Sequence, residues 1–117
     1  MPIVSTASNH YKYKQAIGDI KLGGSQRDTF KIILMNTSFA FDKRTHATLS
    51  DVISSPSAEL PTGNGYTQQN KTLSGGTLTE DNVNDKAYIT FDDVSWTASG
   101  GSIGAAGCAI IYDDTVA

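Results

Sequence analysis

Over residues 29–35 apolar side chains fall on both sides of an alternating stretch. Phe30, Ile32 and Leu34 point one way, and Ile33 and Met35 the other. A strand that is apolar on both faces is usually central in its sheet and covered twice. The pattern therefore predicts an internal strand with Ile32 and Leu34 as core residues. A second run, over residues 106–112, sets Cys108, Ile110 and Tyr112 opposite Ala109 and Ile111. Residues 86–91 alternate more simply, with Ala87, Ile89 and Phe91 on one face, and residues 94–97 read as another short alternating piece. Thr72, Leu73, Leu78 and Thr79 flank Gly75-Gly76, which predicts a kinked or bulged strand. The polar run Glu80-Asp81-Asn82-Val83-Asn84-Asp85 reads as a turn.

Helical periodicity is confined to two short stretches. Residues 1–9 read as a loose N-terminal arm, from which Ser8 caps a helix. Tyr13, Ala16, Ile17 and Ile20 recur at the spacing of one helical face, and Gly23-Gly24 would end it. Residues 48–53 predict a single helical turn with Leu49, Val52 and Ile53 facing inward. That turn lies in a weakly patterned excursion, residues 42–65, punctuated by Ser54-Ser55-Pro56 and by Leu60-Pro61-Thr62-Gly63-Asn64-Gly65. Phe39 and Phe41, alternating with Ala40 and Asp42, predict a further extended piece. Together these elements predict one mainly-β domain over residues 10–117, a sandwich or partly closed barrel with one short N-terminal helix. A strand ending in Asp113-Asp114 would normally turn into a partner strand. Here that partner comes either from the N-terminal part or from a strand beyond the sequence.

Composition narrows the function. The 117 residues carry 18% charged side chains and a net charge of −3. Polarity rests instead on Ser, Thr, Asn and Gly, which suits a turn-rich β protein or one that covers part of its surface with a partner. Nine Lys and Arg are scattered, with Lys43-Arg44 the one adjacent pair, so there is no basic patch for nucleic acid. The lysines of Tyr11-Lys12-Tyr13-Lys14 read as a helix edge. The longest apolar runs are far short of a membrane span, and Met1-Pro2-Ile3-Val4-Ser5 does not resemble a secretory signal. With the single Cys108 excluding an intrachain disulfide, the expectation is a soluble protein made in a reducing cytosol. The sequons Asn36-Thr37-Ser38 and Asn70-Lys71-Thr72 then read as coincidental.

A search for chemistry returns no catalytic, cofactor-binding or metal-ligating set. His10 and His46 are far apart and belong to no ligand spacing. The Asp81–Asp85 run lacks the glycine and closing glutamate of a calcium loop. Cys108 sits in an apolar strand and reads as a small buried hydrophobe. Asp92-Asp93 and Asp113-Asp114 are neighbours in extended chain. Their side chains point to opposite faces, so they read as strand-end solubilisers rather than carboxylate dyads. Gly63-Asn64-Gly65, Gly75-Gly76 and Gly100-Gly101 match no phosphate-binding fingerprint, and Trp96 reads as a core or interface anchor.

An ordered set of segments from residue 29 onward resembles small virion proteins of tailed bacteriophages. The set comprises Phe30-Lys31-Ile32-Ile33-Leu34-Met35-Asn36-Thr37-Ser38-Phe39, His46-Ala47-Thr48-Leu49-Ser50-Asp51-Val52, Gly63-Asn64-Gly65-Tyr66-Thr67 and Leu73-Ser74-Gly75-Gly76-Thr77-Leu78-Thr79. The best matches are Phe91-Asp92-Asp93-Val94-Ser95-Trp96-Thr97 and Ala109-Ile110-Ile111-Tyr112-Asp113-Asp114-Thr115. The chain departs from that pattern at Gly107, where relatives often carry a larger residue, and in ending soon after the last strand. The resemblance implies a virion location and supplies no catalytic residues. The resulting expectation is a non-catalytic capsid decoration or cement protein that contacts the major capsid protein or other virion proteins. It would be a homo-oligomer, a trimer at a threefold position being the natural arrangement, without cofactor, nucleic acid or membrane. The alternatives are a tail or connector component, or a carbohydrate- or receptor-binding module in which Tyr66, Tyr88 or Trp96 stacks on a sugar.

Overall fold

In the computed structural model, residues 6–23, 27–54 and 58–115 are described. The element order is α1 (Asn9–Ala16), β1 (Phe30–Asn36), α2 (Leu49–Ile53), β2 (Lys71–Thr72), β3 (Thr77–Asp81), β4 (Lys86–Thr90) and β5 (Ala106–Asp113). The domain is mainly β and sandwich-like. It has a three-stranded antiparallel sheet in the order β2-β1-β5 and a two-stranded antiparallel sheet, β3-β4. Among the described residues neither sheet closes into a barrel.

β1 is the central strand, as its two apolar faces predict. β5 runs along its whole length, from Phe30↔Asp113 to Asn36↔Ala106. On the other side β2 covers one half, through Lys31↔Thr72 and Ile32↔Lys71. Residues 58–60 cover the other half. Asn36 N donates to Ala58 O at 2.7 Å, Leu60 N donates to Leu34 O at 3.0 Å, and Met35 bridges to Glu59. The inner face is the one bearing Ile33 and Met35, both wholly inaccessible, whereas Ile32 and Leu34 are only half-buried. The expected face is therefore reversed. Phe30 is buried as well, against Phe91, with ring centroids 5.9 Å apart. That contact anchors the β3-β4 hairpin to the sheet.

Ile33, Met35, Val52 and Ala58 form the core cluster, with Phe39, Leu49, Ile53, Cys108, Ile110 and Tyr112 packed around it. α2 supplies Val52, Leu49 and Ile53, the three positions its periodicity selects. Its start is a capping box, in which the Thr48 hydroxyl accepts from Asp51 N while Asp51 Oδ2 accepts from Thr48 N. Each half of the box satisfies an N–H that the first helical turn leaves without a partner. The excursion over residues 42–65 is thus not a free surface loop. Through Val52, Ala58, Glu59 and Leu60 it fills the interior.

Four further expectations are corrected. First, Ser8 caps α1 through a bond from Tyr11 N at 3.0 Å, so residues 8 and 9 belong to the helix and not to an arm, and Asn9 N is tied to Lys43 O at 2.8 Å. Of the remaining arm, residues 1–5 lie outside the described residues. Second, α1 ends at Ala16, well before Gly23-Gly24. Gly18 takes φ +84 and closes a Schellman motif, with Asp19 N on Lys14 O and Gly18 N on Gln15 O. Tyr13 and Ile17, on the face expected to turn inward, are exposed. Third, Gly75-Gly76 is not a bulge within one strand. The chain leaves the first sheet after Thr72 and enters the second at Thr77. Fourth, residues 94–97 and Phe39–Phe41 pair with no strand.

Candidate functional site

The most elaborate polar arrangement is buried and lies in a segment that periodicity leaves blank. Glu59 is 5% exposed. Its Oε2 accepts from the Tyr66 hydroxyl at 2.8 Å and from Gln69 N at 3.0 Å, and its Oε1 accepts from Gln69 Nε2 at 3.1 Å. The Tyr66 oxygen in turn accepts from Leu34 N at 3.0 Å. A buried carboxylate is tolerated when several donors replace its water. Burial, followed by the contact with Glu59, pushes the Tyr66 phenol far above its usual range, so it stays protonated and donates. Both ends of the network are used up inside the fold, and its role is to fasten residues 59–69 to β1. The sequence signal for it was a carboxylate between apolar Ala58 and Leu60, followed by Tyr66, Gln68 and Gln69.

Tyr66 is positioned by the Asn64-Gly65 turn. Gly63 and Tyr66 exchange two backbone hydrogen bonds, at 2.8 and 3.0 Å, and both central residues have positive φ, as a two-residue hairpin of the primed type needs. Asn64 then reaches the loop before β5. It donates from Nδ2 to Ser102 O at 2.9 Å and accepts from Ser99 N at 2.9 Å on its own carbonyl.

Of the three aromatics expected for a sugar-binding surface, Tyr66 and Trp96 are in ring contact, and neither meets Tyr88. Tyr66 is buried, while Tyr88 lies on the hairpin, with Lys86 Nζ 5.6 Å from its ring centroid. Trp96 is half-buried between Tyr66, with centroids 6.0 Å apart, and Lys71 Nζ, 5.5 Å from its ring centroid. It acts as an anchor, with both neighbours supplied by the protein itself. The hollow beside it, lined by Gly65, Thr67, Asn70, Lys71 and Trp96, measures about 100 Å³, below the 300 Å³ or more typical of ligand pockets. A larger depression of about 520 Å³ opens at Thr6 and Ala40–Arg44, broad and open to solvent.

His46 is half-buried beside Phe39 and Phe41, and its Nδ1 accepts from Asp42 N at 2.8 Å. His10 lies against Tyr13. Asp81 spends its carboxylate within the hairpin connection, accepting from Val83 N, Asn84 N and Asn84 Nδ2. Among the described residues no group of three or more His, Cys, Asp or Glu side chains is placed to share an ion, and no helix is long and apolar enough to cross a membrane.

The strand-end carboxylates do more than solubilise. Asp114 pairs with Lys31 at 3.2 Å, and Asp113 accepts from Thr115 N at 2.8 Å. Asp113 also meets Asp28, and a hydrogen bond between the two carboxyl groups holds Asp28 below the usual carboxylate range. Cys108 is half-buried rather than fully buried, on the core side of β5, and burial raises its thiol pKa. Glycine at position 107 has a steric cause. A Cβ there would stand 2.7 Å from Asn36 O and 2.8 Å from Thr37 Cα, at the bulge where the β1-β5 register shifts.

What the fold leaves open is surface. Tyr13, Ile17, Leu78, Val83, Tyr88 and Ile111 are large apolar or aromatic side chains in water, Val83 at 89% exposure on the hairpin tip. No family model, no curated protein and no solved structure matches the chain.

Proposed function

We propose that the chain is a non-catalytic structural subunit of a bacteriophage particle, a capsid decoration or cement protein that binds the assembled shell. The observation that carries this reading is the set of large apolar side chains standing in water on a helix, a hairpin and a strand. Exposed apolar side chains form a contact surface where they lie together, and a shell partner is what would cover these. An accessory that reinforces a lattice requires such surfaces and no pocket, since it stabilises the shell by binding it better than the free subunits. The phage context rests on the ordered segments between Phe30 and Thr115 that resemble virion proteins. The contacts of Trp96 with Tyr66 and Lys71 and the burial of Tyr66 weigh against the sugar-binding alternative.

The test is to locate the chain in intact particles and to challenge particles lacking it with heat and low salt. The expected result is a position on the shell and earlier rupture without it. A position in the tail alone, or shells equally robust without the chain, would replace this reading with a tail or connector role.

A further inference from the structure

β5 is the open edge of the main sheet, and its backbone groups show which way they point. On β1, Leu34 and Asn36 direct their N–H groups to Tyr66 and Ala58, and Phe30 O accepts from Leu73. The even-numbered residues of β1 therefore face away from β5, and Lys31, Ile33 and Met35 face it. Their register partners Tyr112, Ile110 and Cys108 are the ones bonded to β1. By the alternation of an antiparallel ladder, Ala109 and Ile111 turn their N–H and C=O groups outward. These groups have no partner among the described residues.

Proteins normally blunt such an edge with lysine, proline or an inward-pointing charge. From Ala106 to Tyr112 this edge carries none of them, and the charge of β5 is confined to Asp113 at its end. Between Asp93 and Asp113 the chain has neither a charged residue nor a proline, and Ile111 stands 55% exposed beside exposed Ala109.

We propose that this edge pairs with β5 of a second copy of the chain, antiparallel about a twofold axis near Ile110, joining two three-stranded sheets into one of six strands. Charge selects both occupant and direction. The chain has a net charge of −3, so copies repel except where they are neutral, and this edge is their neutral stretch. Parallel pairing would set Asp113 beside Asp113 of the second copy. Antiparallel pairing of Ala109 with Ile111 of the second copy sets Asp113 opposite Gly107, so no like charges meet. Exposed Ile111 then covers Ala109 across the axis, on both sides. An isologous pair follows from such self-complementarity, in place of the trimer that the capsid setting suggests.

The inference deepens the structural-subunit reading and rests on it for its purpose, but its test is independent of phage. The purified chain is measured by sedimentation over a range of concentrations, beside Ile111→Lys and Ala109→Pro. Ile111→Lys places a charge on the edge. Ala109→Pro removes an outward N–H that β1 does not use, so both variants should melt as the monomer does. The expected result is a dimer whose dissociation constant rises tenfold or more in each variant. In a Cys108→Ala background, mixing Ala109→Cys with Ile111→Cys should give the mixed disulfide in preference to either homodimer. A chain monomeric at every concentration, a dimer indifferent to both variants, or pairing along β5 seen only with a shell protein would each overturn self-pairing. A β5 dimer from a chain absent from particles would sink the phage reading and leave the dimer standing.

Discussion

The Tyr66 hydroxyl donates to Glu59 Oε2 across 2.8 Å in the interior, while its oxygen accepts from Leu34 N. One hydroxyl thus serves a buried carboxylate and the backbone of the central strand together. Tyr66→Phe keeps the ring and leaves both groups short of a partner. The expected loss is about 2–4 kcal/mol, since an unsatisfied buried group costs about 1–3 kcal/mol and more when charged. Urea denaturation checks it, and a loss below about 1 kcal/mol would mean that water replaces the hydroxyl.

The same residue sets an alkaline limit. Burial raises the phenols of Tyr66, Tyr11 and Tyr112, Tyr66 the most. A phenol whose pKa is higher folded than unfolded binds its proton more tightly in the fold. Its contribution is complete below the ordinary value of about 10 and is lost as pH rises from there toward the folded value. Stability should therefore fall above pH 10, and Tyr66→Phe should make the slope shallower. A parallel slope in the variant would assign the limit to other groups.

Ile33 and Met35 face the core and Ile32 does not. Ile33→Ala and Met35→Ala should each cost about 2–5 kcal/mol, and Ile32→Ala clearly less. Equal losses at Ile32 and Ile33 in chemical denaturation would show that both faces of β1 are covered alike.

Gly107→Ala pushes a methyl group into the backbone at Asn36 and Thr37. Overpacking of this kind costs about 1–3 kcal/mol, so the melting temperature should drop by roughly 4 °C or more. An unchanged melting temperature would show that the bulge relaxes freely.

Cys108 should react slowly with a thiol reagent in the native protein and quickly in denaturant, because burial disfavours the thiolate that attacks. Cys108→Ala should cost about 1 kcal/mol. Native labelling as fast as that of the unfolded chain would place the thiol in solvent.

The long apolar strands, the cap at Ser8 and the turn through Gly63-Asn64-Gly65 were legible because each rests on local chemistry. The buried face of β1 was not, since alternation cannot choose between two apolar sides. The choice falls to α2 and Ala58, which pack on Ile33 and Met35 from distant parts of the chain. The extent of α1 was misjudged because Gly18 fits an apolar helical pattern yet also offers the left-handed conformation that ends it. Gly75-Gly76 signals a break without saying whether one sheet continues beyond it. Glu59 was easily passed over, despite its apolar neighbours Ala58 and Leu60, because a lone carboxylate is ordinarily solvated and its donors come from Tyr66 and Gln69 on the far side of a turn.

The register that places Phe30 opposite Asp113 also bears on how the chain reaches its native state. Closing a loop of about 80 residues carries an entropic cost that local contacts do not repay in advance, and domains built on such distant pairings fold slowly. Until the segment through Asp113 has been synthesised, β1 has an unpaired flank and Ile33 and Met35 lack part of their cover. On the ribosome, then, the nascent polypeptide cannot complete its interior early. It waits with a sticky strand in need of protection, so a slow release or a premature stop near Cys108 should yield aggregates rather than a shorter functional domain.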